Sequence, residues 1–320
     1  MPVVYCIGEA LIDFVPTTKG LSLEDVPSFV RAPGGAPANA AVAVSKLGGS
    51  SAFIGKVGQD AFGRLLKNTL SHHGVITDYM STTTEANTTL AFVSLTADGD
   101  RDFIFYRKPG ADMLLNHEDI PVKEFKKGDI LHFCSLGLVD APTKKAHKAA
   151  IETMKKAGGI ISFDPNVRLD LWAEKQQCKQ AILEYLPYAD LVKVSLDEMP
   201  FIFDTEDEKE VAEKCFNLGI KAVIVTRGAL GSAFYTQDYI KEVASIDVKV
   251  EDTTGAGDAY TGAVLSQIIK VGSLTLSQEQ VDEIVDLANI AGSLTTTKKG
   301  GMESIPTLNE IYEFKNTNNC

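Results

Sequence analysis

The stretch DTTGAGDA at 252–259 sets a carboxylate, Asp258, directly behind a Thr-Thr-Gly-Ala-Gly turn. An apolar, helix-compatible run follows: Ala259, Tyr260, Ala263, Val264, Leu265 and Ile268. Glycines let a turn point its N–H groups inward, and a helix N-terminus adds positive dipole, so the pair makes a pocket for an anion such as a transferring phosphoryl group. A carboxylate beside that pocket can take the proton of an attacking hydroxyl. The chemistry implied is phosphoryl transfer to an alcohol. The plainer alternative is a strand-to-helix turn in which Asp258 only caps the helix.

A second glycine turn, GGAPANAA, lies at 34–41. Gly34 and Gly35 let backbone approach a ligand closely, and Asn39 offers both a donor and an acceptor. A polyol needs that mixture, since each hydroxyl donates one hydrogen bond and accepts others. Asp13, in GEALIDF, either accepts from two neighbouring hydroxyls or is a turn residue at a strand end. Two familiar nucleotide motifs are missing. There is no GxxxxGK[ST], and GAGDAY has Tyr260 where GxGxxG needs its third glycine, which disfavours a P-loop protein and a Rossmann dehydrogenase.

These residues need a scaffold, and the hydrophobic pattern supplies one. Strand-like runs at 3–8, 51–55, 129–134, 160–164, 190–195 and 221–226 alternate with helix-like runs at 37–49, 60–74, 143–157, 175–186 and 207–218. Two helices, 257–271 and 278–297, are expected to close the chain. Such alternation implies βαβ units, hence an α/β fold with a mostly parallel sheet buried on both faces. Two segments break the rhythm. Residues 88–107 read as two strands around Asp98-Gly99, a hairpin turn signal, and 14–31 is extended and irregular. We expect both to leave the main sheet as a small β lid; an ordinary edge hairpin is the alternative. The domain expectation is one α/β unit over 1–315, with lid segments near 14–33 and 88–108 and a frayed tail at 316–320.

Bulk properties set outer limits. The 320 residues are 44% hydrophobic and 23% charged, with net charge −12. That charge argues against a nucleic-acid surface, which needs clustered Lys and Arg. The five cysteines (6, 134, 178, 215, 320) show no CxxC spacing and the five histidines no HExxH, so free thiols in a reducing compartment and surface or structural histidines are expected. No apolar run approaches the ~18 residues a membrane span requires. The VVYCIG start lacks the basic flank of a signal peptide, and a cytoplasmic protein is expected.

GGAPANAA, GKVGQDAFG at 55–63 and DTTGAGDA resemble, in order and spacing, the signatures of the ribokinase (PfkB) family of carbohydrate kinases. The likeness runs from GEALIDF to KKGGMESIP, and within the family it is strongest to the fructokinases. It implies a Rossmann-like three-layer α/β/α sandwich with a β lid, and transfer of the ATP γ-phosphoryl group to a sugar CH₂OH. By resemblance Asp258 is the base and the N–H groups of Gly255, Ala256 and Gly257 form the anion hole. Asp13, Gly34, Gly35 and Asn39 hold the sugar. Phe92, Phe105 and Arg107 of the lid either touch it or serve lid packing or a dimer contact. In FDPNVRLDLW at 163–172, Arg168 faces the phosphates or the acceptor, and Asn166 orients a magnesium-bound water or is structural. In KVSLDE, Glu198 sets the Mg²⁺ shell through water, and Lys193 reaches the phosphates. Ser195 stands where the family pattern has Asn, which weakens any direct role for its side chain. Thr226, Gly228, Gly231 and Asn289 match positions close to ATP. Asp252, Thr254 and Ser304 match a monovalent-cation site, typically K⁺, though Asp252 also fits a simple turn carboxylate. The resemblance favours a fructokinase giving fructose 6-phosphate and working as a possible homodimer through the lid. The rivals are a 2-keto-3-deoxygluconate kinase, whose substrate carboxylate Arg107 and Arg168 would clamp, a ribokinase, and a catalytically silent sugar or nucleotide sensor.

Overall fold

The computed structural model describes all residues except 19, 96–100 and 319–320. Nine strands form the main sheet: β1 (Val4–Ile7), β4 (Ser51–Gly58), β5 (Met80–Thr83), β8 (Ile130–Cys134), β9 (Ile160–Asp164), β10 (Leu191–Ser195), β11 (Ala222–Thr226), β12 (Ser232–Tyr235) and β13 (Ile240–Val243). Their spatial order is β13-β12-β11-β10-β9-β8-β1-β4-β5, parallel except for the antiparallel β12 and β13 at one edge. Four strands form a second sheet, the lid: β2 (Leu11–Pro16), β3 (Phe29–Gly34), β6 (Leu90–Leu95) and β7 (Arg101–Tyr106), ordered β3-β2-β6-β7.

Strand periodicity of two splits the core into two layers. Val4 and Cys6 of β1 enter one apolar cluster while Tyr5 and Ile7 enter the other; Ala222 and Ile224 of β11 part from Val223 and Val225 in the same way. Helices α1 (Ala36–Lys46), α2 (Ala61–His72), α7 (Ala256–Val271) and α8 (Gln278–Thr295) cover the first face. Helices α3 (Pro142–Ala157), α4 (Lys175–Tyr185), α5 (Met199–Phe203) and α6 (Glu208–Asn217) cover the second. Both faces being buried explains why the strands read as near-continuous apolar runs. The alanines of α1 have a purpose here: α7 lies so close that a Cβ on Gly262 would collide with Ala43.

The structure extends the expectation in four places. Residues 11–16 and 29–34 are two regular paired strands, so the lid begins at Leu11 and ends at Tyr106. The β12–β13 hairpin and β5 were not foreseen. Two further helices follow α8: α9 (Gly301–Ser304) and α10 (Leu308–Asn318). The second sets Ile311 in the core and continues over residues 316–318, into the stretch expected to be a tail. The Asp98-Gly99 turn lies outside the described residues.

Lid register follows from aromatic packing. Phe14 of β2 pairs with Phe92 of β6, their rings stacked at 4.6 Å, and Phe29 and Tyr106 meet Phe92 edge-on at 5.3 and 5.5 Å. Such cross-strand aromatic pairs hold a small sheet together. Phe62 of α2 meets Phe14 edge-on at 5.9 Å and ties the lid to the body.

Candidate active site

The chain runs outward from β1 in one direction through β4 and β5, and in the other through β8 to β11. The crevice at such a switch point, beyond the carboxyl ends of the strands, is where open α/β sheets bind ligands. A cavity of 1580 Å³ opens there beneath the lid. Its wall takes Glu9 from beyond β1, Leu136 from beyond β8, Asn166 and Arg168 from beyond β9, Ser195 from the end of β10 and Glu198 from the turn after it, and Thr226 from the end of β11 and Gly228 from the turn after it. The volume exceeds that of an ordinary single-ligand pocket and suits two substrates end to end.

Asp258 sits in the first turn of α7. Gly255 is the N-cap residue, in a left-handed conformation at φ 81° that suits glycine, and no side chain caps the helix. Asp258 is therefore not a cap. Its Oδ2 instead accepts a 2.8 Å hydrogen bond from Nδ2 of Asn39, which the adjoining helix α1 presents. Burial raises the Asp258 carboxyl above its ordinary value, opposed by the Asn39 hydrogen bond and by the charges of Lys193 and Arg168. A carboxylate so raised is a better base than one in water.

Lys193 is buried beside the same turn, its Nζ 3.1 Å from Asp164. Burial alone would lower the ammonium, but Asp164, Glu198 and Asp258 outweigh it, so Lys193 stays charged. A Cβ on Gly257 would lie 3.5 Å from that Nζ, which puts the cation against the glycine turn. Asn166 adopts a left-handed backbone at φ 41°, held by a 3.1 Å bond from its N–H to Asp164 Oδ1. Strain of this kind costs about 1–3 kcal/mol and concentrates at functional sites. Glu198 is gripped by two backbone donors, Val167 N–H at 2.6 Å and Ser195 N–H at 2.8 Å. Arg168 is exposed at the rim.

At the far end of the cavity, Gly231 needs its positive φ of 100°, and a Cβ there would collide with the Val243 carbonyl. The adjoining loop is braced by Arg227, paired with both oxygens of Glu208, and by the Tyr235 hydroxyl at 2.8 Å from Glu208. Asn289 donates to the Ala244 carbonyl at 2.9 Å. Asp252 accepts from the Thr254 N–H and hydroxyl at 3.0 and 2.7 Å, and from Gly300 N–H at 3.3 Å.

At the lid end, Asp13 of β2 and Phe105 of β7 line the cavity with Gly35 and Asn39. Gly34 lies behind Asp13, and a Cβ there would strike the Asp13 carboxylate. Gly35 has φ 106°, and a Cβ would strike the Glu9 carbonyl.

Besides Gly34, three expected residues stand away from the cavity wall: Phe92, Arg107 and Ser304. Phe92 and Phe105 belong to opposite faces of the lid: Phe105 pairs with Ala91, Phe92 with Ile104, and Phe92 points into the aromatic cluster. Arg107 is not an open clamp; it is buried, with its Nε and Nη2 2.8 and 2.7 Å from Asp112 Oδ2 and Nη2 donating to the Leu136 carbonyl at 3.2 Å. Ser304 is buried in α9 and donates to the Gly301 carbonyl at 2.9 Å. The buried Glu9, by contrast, lines the cavity and was missed, although it belongs to the GEALIDF stretch.

Comparison with known proteins agrees with this geometry. The model for the pfkB family carbohydrate kinases matches residues 1–308. The chain is 45% identical to a probable chloroplastic fructokinase-6 of Arabidopsis thaliana, covering 98% of this chain and 82% of that one. It is 44% identical to fructokinase-1 of Oryza sativa subsp. japonica, covering 97% of each. It superposes with TM-score 0.90 and 36% identity, over 98% of both chains, on a double mutant of Vibrio cholerae fructokinase bound to fructose, ADP and potassium ion. With a buried carboxyl at a glycine-capped helix start, a lidded polar pocket beside it and matches of this extent, the chain belongs to the pfkB family of carbohydrate kinases.

Proposed function

We infer that the protein is an ATP-dependent fructokinase, transferring the γ-phosphoryl group to the 6-hydroxyl of D-fructose to give fructose 6-phosphate. The observation that carries this reading is the contact between Asn39 and Asp258, which joins the polyol pocket to the anion-binding turn in one cavity. Asp13 and Asn39 hold the sugar, and the Asn39 Oδ1, buried without a partner, suits a hydroxyl donor. Asp258 takes the O6 proton as O6 attacks phosphorus and the bond to the ADP oxygen breaks. The N–H groups of Gly255 and Gly257, that of Ala256 once it leaves its 3.3 Å bond to the Thr253 carbonyl, the α7 dipole and the Lys193 ammonium offset the charge on the phosphoryl oxygens. Thr226, Gly228, Gly231 and Asn289 line the nucleotide end, and Arg168 reaches in from the rim. The lid excludes water, the competing acceptor. The decisive assay is ADP release from MgATP with fructose, 2-keto-3-deoxygluconate, ribose or no sugar. Turnover is expected to be strongest with fructose, and preference for another acceptor would overturn the specificity.

Two ions accompany this reading. A Mg²⁺ ion arriving with the nucleotide would neutralise part of its phosphate charge. Glu198 fits its outer shell, since each carboxylate oxygen accepts one backbone N–H and keeps a lone pair for water. Among the described residues no group of three or more His, Cys, Asp or Glu could hold a metal. Asp252 and Thr254 offer hard oxygens for K⁺ beside Gly255, with Ser304 turned to the Gly301 carbonyl behind them. Replacing K⁺ by a bulky organic cation is expected to slow turnover.

Ile104 and Tyr106 leave an apolar strip exposed on the lid, at 47% and 64%, which supports a homodimer through the lid; sedimentation checks it. The four described cysteines are free and buried, in keeping with a reducing compartment such as the cytoplasm. Among the described residues no helix is long and apolar enough to cross a membrane.

A further inference from the structure

One acidic side chain of the cavity wall has no part in the chemistry above. Glu9 follows β1 at the switch point and is 4% exposed. Its Oε2 is buried and has no hydrogen-bond partner. Burial pushes its carboxyl up to about 7, against the backbone N–H groups of Glu9 and Ala36 and the Arg107 charge, with Asp112 adding to the rise. Arg107 contributes field without closing off Oε2, since its donors go to Asp112 and the Leu136 carbonyl. Buried acceptors are nearly always satisfied, so an orphan on the wall of a ligand cavity marks a place where a ligand brings the donor.

The neighbours of Glu9 indicate which ligand. Its carbonyl packs against Gly35, whose own carbonyl accepts the Asn39 N–H at 2.8 Å. Its carboxylate is stabilised by the amide of Ala36, the first residue of α1. Glu9 therefore belongs to the end of the cavity that holds Asp13, Gly35 and Asn39, away from the nucleotide loop around Gly231. We propose that Glu9 is a sugar-binding residue whose Oε2 accepts a hydrogen bond from a fructose hydroxyl other than the one phosphorylated. The inference rests on the fructose reading, and wild-type turnover with fructose tests that reading separately.

The experiment compares wild type with Glu9→Gln on fructose and on fructose analogues that each lack one hydroxyl at C1, C2, C3 or C4. In the variant the KM for fructose is expected to rise about tenfold or more, with kcat and the KM for ATP within about twofold. One analogue is expected to be poor for wild type yet equal to fructose for the variant, because the hydroxyl it lacks has lost its partner. An unchanged KM for fructose would overturn the assignment. So would a rise of the same size for fructose and for every analogue, which marks a purely structural role. If Glu9→Gln does not fold, Glu9→Asp keeps the charge and withdraws the oxygen by one methylene, and the same analogue comparison decides.

Discussion

The two ends of the cavity are built on different principles. At the reaction end the essential parts are contiguous: Asp252, the turn through Gly255 to Gly257, and Asp258 follow one another into α7. A left-handed cap calls for glycine at 255, so residue type and backbone shape are tied together there. At the sugar end the wall is assembled from Glu9, from β2 and β3, from the start of α1 and, far along the chain, from β7. Nothing there forces a residue type except at Gly34 and Gly35; which side chain faces the sugar is decided by strand register. Reaction type is thus a local property of this chain and acceptor choice a distributed one.

Mutations can break or sharpen that contrast. Asp258→Asn is expected to cost about 10²–10⁴-fold or more in kcat while the KM for fructose moves little; steady-state kinetics with near-normal kcat would end the base assignment. Asp13→Ala should do the reverse, raising the KM for fructose roughly 10- to 100-fold, as loss of a charged hydrogen bond does, with the KM for ATP unchanged. A matching rise for ATP would mean that the two ends are not separable. Asn39 bridges both ends, and its removal should leave a pH signature. Burial raises Asp258 and the Asn39 hydrogen bond opposes that rise. The base works deprotonated, so kcat/KM falls as pH drops through its pKa. Asn39→Ala should move this acid limb to higher pH, and a pH–rate profile in which the limb stays put refutes the coupling.

A smaller effect belongs to the core beneath both ends. His132 and His147 are buried, and burial lowers them to about 3 and about 4. Below about pH 6.5 the unfolded chain binds protons that the folded chain refuses, so stability should fall with pH by up to about 1.4 kcal/mol per unit for each histidine. Urea titrations between pH 7 and 5 measure the loss. A flat profile would mean that the two histidines are charged in the fold.

Legibility in the sequence follows the same division. The parallel strands other than β5, the helices between them and both glycine turns could be read directly, because periodicity and turn glycines are local signals. Phe92 and Phe105 look alike in sequence, and only the pairing of β6 with β7 sends one inward and the other into the aromatic cluster. Arg107 resembled an open clamp until Asp112, five residues on, turned out to occupy it. Glu9 stayed hidden because its burial depends on α1 and on the distant Arg107–Asp112 pair. The antiparallel β12–β13 hairpin carried no glycine turn to announce it, and its strands alternate too briefly to stand out.

The pairing inside the lid has a mechanical consequence. Its two hairpins are joined by the parallel pair β2–β6, and Phe14 and Phe92 lock that seam. Neither hairpin can swing alone without tearing ladder bonds and stacked rings. The sheet is then a single stiff plate, joined to the body where the chain crosses beside Leu11, Gly34, Leu90 and Tyr106. Rotation about a line through those crossings is the cheap motion. The backbone next to Gly34 already has the torsional latitude for it, at Gly35 with φ 106°. Sugar contact anywhere on the inner surface would turn the whole plate, so a lever at one end of the cavity could set the timing of events at the other.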